Sequence, residues 1–210
     1  MSNYVLKSSD SEAEHSAEHS GVLEHDSPSF FQFLTKTFPA PTREIFERVY
    51  SVFFEQGKLE LTDAQSDRTP RFNPAPCRVA SLIVSECKDT DPEHLLAAML
   101  QCFEKPDLVI KAEHVSAHTK NLALAALDFV KNPQPTDSTV ERLGLALTLD
   151  RIRHLHLSAK TSAEQIAVCI RVQTVLIPET RSTENERLKI LLNAACTRLL
   201  RIRGQREADS

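Results

Sequence analysis

Residues 138 to 157 read STVERLGLALTLDRIRHLHL, and this stretch decides the fold. At helical spacing its side chains divide into two opposite faces, one with Leu143, Leu147, Asp150 and His154 and the other with Leu145, Leu149 and Ile152. A helix that is apolar on both sides needs packing partners on both sides. The pattern therefore predicts the central helix of an all-α bundle.

The segments around this helix carry further helix signals. Ser138-x-x-Glu141 is a capping box that opens the central helix. Ser162-x-x-Gln165 and Thr183-x-x-Glu186 predict the starts of two more helices, which we expect to end near Ile177 and before Gly204.

The N-terminal half has the same helical character. Pro41-Thr42 predicts the start of a helix that ends at Gly57, and a loop is expected over 58–72. Asn73-Pro74 and Asp91-Pro92 predict two further helix starts, and the apolar run over 122–130 predicts another helix. We expect about seven helices and no strand, since the 210 residues include only four Gly for the tight turns of antiparallel sheets.

The first 28 residues differ from the rest of the chain. They contain six acidic residues and three His but few large apolar side chains, so we expect a disordered acidic tail. The next segment, 29–34, reads SFFQFL. We expect it to dock on the protein's own surface, because exposed apolar patches are costly.

Composition narrows the location and the partners of the protein. The sequence shows no apolar run long enough for a membrane span and no signal-peptide pattern, so we expect a cytoplasmic protein. Its five scattered Cys predict reduced thiols in the core. A net charge of -4 gives no general attraction to nucleic acid, and we do not expect nucleic-acid binding.

Two stretches resemble a known family. Residues 72–102 read FNPAPCRVASLIVSECKDTDPEHLLAAMLQC, and residues 145–155 read LALTLDRIRHL. Their apolar framework is similar to that of HD-superfamily phosphohydrolases of the guanosine polyphosphate hydrolase type, over roughly residues 42–157. The resemblance implies an HD-like helical bundle, with 29–210 as a single domain.

The resemblance also implies a metal site that this chain has largely lost. In the family, two His and two Asp hold a divalent metal that activates a water for attack on phosphorus. The first His corresponds to Ala75, and the His-Asp pair corresponds to Gln101 and Cys102. Only the last Asp survives, as Asp150, so the resemblance implies that no metal or other cofactor is bound.

The remaining candidates also have ordinary structural interpretations. Asp150 is expected to be a buried carboxylate stabilised by an Arg or by backbone donors, and His154, on the same face, is expected to pair with it. His114 and His118 have the i, i+4 spacing of a zinc pair, but no third ligand is evident. Cys102 is interpreted as a buried thiol rather than a nucleophile.

Three hypotheses follow for the function. The first is a catalytically inactive HD-like module that binds a protein partner, a second copy of itself or a nucleotide, with the candidate binding residues Asp150, Arg151, His154 and Arg71. The second is a metal-dependent phosphohydrolase with a relocated site, made from Asp150 and some of His94, His114, His118 and His154. The third is an unrelated helical interaction domain, favoured if the helix of Asp150 does not pack against the ends of the helices that carry Ala75 and Gln101.

Overall fold

The computed structural model describes residues 27–63, 76–103, 115–155 and 163–208. These residues form eight α-helices and no strand, which confirms the all-α prediction and adds one helix to the expected seven. The helices are α1 (Ser27–Thr37), α2 (Ala40–Asp63), α3 (Pro76–Cys87), α4 (Pro92–Leu100), α5 (Ala117–Lys131), α6 (Ser138–Leu155), α7 (Ala163–Arg171) and α8 (Glu186–Ala208). A π-helical turn (Val172–Leu176) and a last α-helical turn (Ile177–Glu179) continue α7, and a 3-10 turn (Thr183–Asn185) precedes α8.

Helix α6 is the central helix of the bundle, as its two apolar faces predict. It packs against α3, α4, α5 and α8. Every residue from 143 to 150 is buried, including the polar Thr148 and Asp150. Burial of the helix on all sides explains why its sequence shows no single polar face.

The aromatic segment after the tail docks on the domain itself, as expected. It forms α1, in which Phe30 and Leu34 are each only 1% exposed. The Phe30 ring contacts the Phe46 ring of α2, with ring centroids 6.0 Å apart. The helix begins at Ser27, two residues before the expected boundary, and the predicted tail otherwise lies outside the described residues.

The predicted helix starts have mixed outcomes. Asp91 caps α4 as expected, and its carboxylate accepts a hydrogen bond of 2.8 Å from the backbone N–H of Glu93. The capping box at Ser138 is wrong: the Asp137 carboxylate accepts the bond from the Thr139 N–H at 2.7 Å. Glu141 is instead buried and reaches across to another segment.

Several predicted helix ends are also wrong. Helix α2 continues through Gly57 to Asp63, and α8 continues through Gly204 to Ala208. A single glycine costs a helix interior only about 1 kcal/mol relative to alanine, which a long helix tolerates. The predicted start at Asn73-Pro74 lies outside the described residues, and α3 is described from Pro76 onward.

Among the helices of the described ranges, none is both long and apolar enough to cross a membrane.

Candidate functional site

The candidate site lies at one end of the bundle, where α3 begins and where α4 and α6 end. Helix α6 packs against both α3 and α4. The first turn of α3 supplies Arg78, the turn after α4 supplies Gln101 and Cys102, and the second half of α6 supplies Asp150 and His154. The fold therefore brings together three of the segments that the sequence singled out.

Asp150 is held by a bidentate ion pair with Arg78. Nε of Arg78 donates to Oδ1 of Asp150 at 2.9 Å, and Nη2 donates to Oδ2 at 3.2 Å. The Asp150 side chain is 3% exposed, whereas that of Arg78 is 27% exposed. This pairing confirms the interpretation of Asp150 as a buried carboxylate stabilised by an arginine, and a planar guanidinium is the group best suited to engage both oxygens.

His154 lies one turn after Asp150 and contacts it twice. Its Nδ1 is 2.7 Å from the backbone oxygen of Asp150 and 3.4 Å from Oδ1 of the Asp150 carboxylate. The expected pairing of His154 with Asp150 is therefore confirmed. Because a carbonyl oxygen only accepts hydrogen bonds, Nδ1 of His154 carries the proton in this arrangement.

Gln101, which the sequence resemblance matches to a metal-ligand position, has a buried amide side chain. Its Nε2 donates to the Leu143 carbonyl of α6 at 3.0 Å, so the side chain fastens the end of α4 to the central helix. Within the described part of the chain its Oε1 has no hydrogen-bond partner, although the residue is 1% exposed. A buried acceptor without a donor is an unusual feature in a native core.

Cys102 is a buried, protonated thiol. It is 7% exposed, and its Sγ donates to the Ala98 carbonyl at 3.5 Å. Burial raises the pKa of Cys102 well above its ordinary value, and the negative charge of Asp150 adds to this effect. The nearby charges of Arg151 and Arg78 oppose the shift without reversing it. The thiol is therefore a poor nucleophile and a poor metal ligand in this environment.

Arg151 follows Asp150 in α6 and is an exposed residue. Partial desolvation of its guanidinium lowers the pKa of Arg151, while the negative charge of Asp150 acts in the opposite direction. The side chain remains a cation, since arginine stays protonated in proteins. It lies close enough to Cys102 and Asp150 for an electrostatic interaction with both.

The other predicted residues lie elsewhere. Nδ1 of His94 is 2.8 Å from Oδ2 of Asp89, and Nε2 of His118 is 4.0 Å from Oε2 of Glu93. Neither histidine is paired with Asp150. The remaining predicted residues, Ala75, Arg71 and His114, lie outside the described residues.

Sequence reasoning missed a second polar cluster around Asp89. Its Oδ1 accepts from the Asp91 backbone N–H at 3.0 Å, and its Oδ2 accepts from Arg142 next to His94. Arg142 also donates to Glu184 at 3.1 Å. Burial alone would raise the pKa of Asp89, but hydrogen bonds from Asp91, His94 and Arg142, together with the charge of His94, lower it.

Glu141 joins the same region to the segment before α8. Its two carboxylate oxygens accept the backbone N–H groups of Arg181 and Ser182 at 3.1 and 3.0 Å. Asn185 donates from Nδ2 to the Ser138 carbonyl at 2.9 Å and accepts from Arg142 at 3.3 Å. These bonds satisfy a buried carboxylate and explain why the expected capping box does not form.

These residues do not match the ligand set of a divalent metal site. No group of three or more His, Cys, Asp or Glu side chains suited to a metal ion occurs within the described ranges. At Asp150 both carboxylate oxygens already accept bonds from a cation. The donors present at this position therefore do not fit the dication that the resembled family uses.

Comparison of the chain with protein-family models, curated proteins and solved structures finds no match.

Proposed function

We propose that this protein is a catalytically inactive HD-like domain that acts as a binding or regulatory module for a nucleotide or a protein partner. The observation that carries the proposal is the bidentate pair between Arg78 and Asp150. Asp150 is the one carboxylate that remains at a family ligand position, and a guanidinium engages it in place of a metal ion.

The charges explain why this pair opposes metal binding. When a carboxylate accepts two hydrogen bonds from a guanidinium, its negative charge is already balanced and both of its oxygens are engaged, so it binds a second cation less strongly. The fixed positive charge of Arg78 also repels any dication that approaches Asp150. Without a bound dication, the water activation on which the resembled chemistry depends has no source at this position.

The packing of the bundle supports the HD-like part of the proposal. The helix of Asp150 packs against α3 and α4, and the amide of Gln101 bonds directly to that helix. The HD-like hypothesis requires the helix of Asp150 to pack near the end of α4 and the start of α3, and the contacts of Gln101 and Arg78 agree with that requirement.

The ligand of the module would contact the same end of the bundle. Arg151 is exposed, and Arg78, which pairs with the preceding residue Asp150, is partly exposed. An exposed and a partly exposed guanidinium would suit an anionic ligand such as a nucleotide. A protein partner with an acidic segment would use the same arginines.

The decisive experiment measures metal binding and turnover on the whole chain. Isothermal titration with Mn²⁺ should show no site that depends on Asp150, and incubation with guanosine polyphosphates and Mn²⁺ should release no phosphate or pyrophosphate. Titration with a guanosine polyphosphate alone then distinguishes a nucleotide ligand from a protein partner. Weaker nucleotide binding by Arg151→Ala than by the control variant Arg153→Ala supports a nucleotide ligand. Absence of nucleotide binding supports a protein partner.

The opposite result is equally clear. Mn²⁺ binding that is lost in Asp150→Asn, together with release of phosphate or pyrophosphate by the wild-type protein, overturns the proposal.

One contact favours the second hypothesis, a phosphohydrolase with a relocated site. Nδ1 of His154 and Oδ1 of Asp150 are 3.4 Å apart, so two of its five proposed ligands do lie together. Two of the others, His94 and His118, face Asp89 and Glu93 instead. If this hypothesis is right, Mn²⁺-dependent turnover should be lost in both Asp150→Asn and His154→Ala.

A further inference from the structure

Two cysteines on neighbouring helices form a buried thiol pair. Cys169 belongs to α7 and Cys196 to α8, and these two helices pack against each other. Both residues are 0% exposed. Gln173, one turn after Cys169, donates to Asn193 at 2.8 Å and to Thr197 at 3.0 Å, the residues on either side of Cys196 along α8, so the two thiols face each other and interact across the helix pair. Both are free cysteines in the structure.

The two thiols are not equivalent. The hydrogen bond from Cys196 to the Cys169 sulfur lowers the pKa of Cys169, while burial works against that effect. The same bond and burial raise the pKa of Cys196. The sulfur of Cys169 is therefore the better nucleophile, and Cys196 retains its proton.

We propose that Cys169 and Cys196 are a redox site that forms an intramolecular disulfide between α7 and α8 on oxidation by a peroxide. The Cys169 thiolate attacks one oxygen of hydrogen peroxide, forming an S–O bond as the O–O bond breaks, and the leaving hydroxide takes up a proton to become water. The Cys196 sulfur then attacks the sulfenic sulfur, forming the S–S bond as the S–O bond breaks. The hydroxyl group leaves with the thiol proton as a second water, so two thiols are oxidised and one peroxide is reduced.

The position of α7 gives the oxidant a route to the pair. Val168 and Ile170 on either side of Cys169 are 45% and 48% exposed, so α7 lies at the surface of the bundle. A peripheral helix opens locally more readily than the core of a bundle does. The disulfide would then link α7 to α8, and we expect it to raise the thermal midpoint of unfolding because a cross-link restricts the unfolded chain.

The test uses the wild-type protein, so it does not depend on the folding of a variant. The native chain is treated with hydrogen peroxide, quenched, unfolded and alkylated with N-ethylmaleimide. We expect the number of alkylated cysteines to fall from five to three, and to return to five after dithiothreitol. Trypsin should release a linked pair of peptides, 161–171 and 190–198, that separates on reduction.

Variants of the pair and of a control cysteine sharpen the result. In Cys196→Ala, a dimedone label should appear on Cys169, because the sulfenic acid has no thiol to resolve it. Cys87 is the matched control: it is more exposed, but burial raises its pKa to about 11, so Cys87→Ala should leave the oxidation unchanged. The proposal is wrong if all five thiols remain alkylated after peroxide, or if the disulfide maps to other cysteines.

Discussion

At the scale of single residues, Asp150 is held in the core by one partner on another helix. Its carboxylate is 3% exposed and receives two hydrogen bonds from Arg78. A buried carboxylate depends strongly on such a partner, because removing the partner leaves an uncompensated charge in a medium of low dielectric constant.

Replacing Arg78 with alanine should therefore destabilise the protein considerably. We expect Arg78→Ala to lower the free energy of unfolding by about 3 kcal/mol, measured by urea denaturation. The free energy of unfolding of Arg78→Lys should lie between those of the wild type and Arg78→Ala, because an ammonium group keeps the charge but cannot donate to both carboxylate oxygens in the same paired geometry.

A double variant tests whether the effect comes from the stranded carboxylate. Arg78→Ala combined with Asp150→Asn should be more stable than Arg78→Ala alone, since the amide carries no charge. Equal stabilities of the single and double variants would mean that the ion pair is not the source of the loss.

The Asp89 cluster should make stability depend on pH. The pKa of Asp89 is lowered in the folded state from its ordinary value of 3.8, so the folded protein binds the proton less readily than the unfolded chain. The stability that Asp89 contributes is then complete above the ordinary value and is lost as the pH falls below it toward the folded-state pKa.

Asp89→Asn provides the measurement for this pH dependence. The variant should be less stable than the wild type at neutral pH, and the difference should narrow when unfolding is followed from pH 5 to pH 2. A difference that stays constant over this range would show that Asp89 does not titrate in the way proposed here.

Sequence reasoning found Asp150 and His154 but not the groups that complete their environment. Arg78 lies 72 residues before Asp150 in the chain, so no local spacing indicated it. Asp89 and Arg142 are 53 residues apart in the chain, and no local pattern connects them. Contacts of that kind depend on how the helices pack, which a single sequence does not show.

At the scale of helices, Gly144 determines how closely α5 and α6 approach. A Cβ atom at this position would lie 2.9 Å from the Phe129 ring, 3.1 Å from the Val130 side chain and 3.3 Å from the Ala126 carbonyl. The first distance is too short for a normal contact, and the carbonyl belongs to a helix backbone that cannot move alone. Glycine is therefore required here for close packing rather than for an unusual backbone angle.

Gly144→Ala should be destabilising in spite of the better helix propensity of alanine. The propensity gain is about 1 kcal/mol, and overpacking of a core typically costs about 1–3 kcal/mol, so we expect a net loss near 1 kcal/mol in urea denaturation. Adding Phe129→Leu should reduce the cost of the alanine, because a smaller side chain relieves the closest contact. A stabilised Gly144→Ala protein would contradict this account of the interface.

The helix starts show what local signals can and cannot predict. Asp91 caps α4 because its partner N–H lies only two residues away. The sequence pattern predicts the same kind of local hydrogen bond for Glu141. Its carboxylate instead accepts hydrogen bonds from the backbone N–H groups of Arg181 and Ser182, 40 and 41 residues further along the chain. A carboxylate near a helix start can serve either role, and tertiary packing selects between them.

At the scale of the whole molecule, the doubly apolar pattern of residues 138–157 predicts the architecture correctly. It places α6 in the centre, and α3, α4, α5 and α8 pack around it because they cover its two faces. The pattern does not show how many helices pack against α6 or which helix covers which face. Several amphipathic helices have similar apolar faces, so the sequence alone does not select among them as packing partners.

The central position of α6 predicts a hierarchy of local stability that hydrogen exchange can measure. Residues 143–150 are buried without interruption between four helices, whereas α1 packs mainly on α2 and α3 at the edge of the bundle. Amides of α6 should therefore exchange only through global unfolding, with a denaturant dependence equal to that of the whole protein, and amides of α1 should exchange through smaller openings. Mass spectrometry of peptides from both helices in increasing urea distinguishes these cases. If α6 exchanged as fast as α1, the bundle would not be organised around α6 in solution.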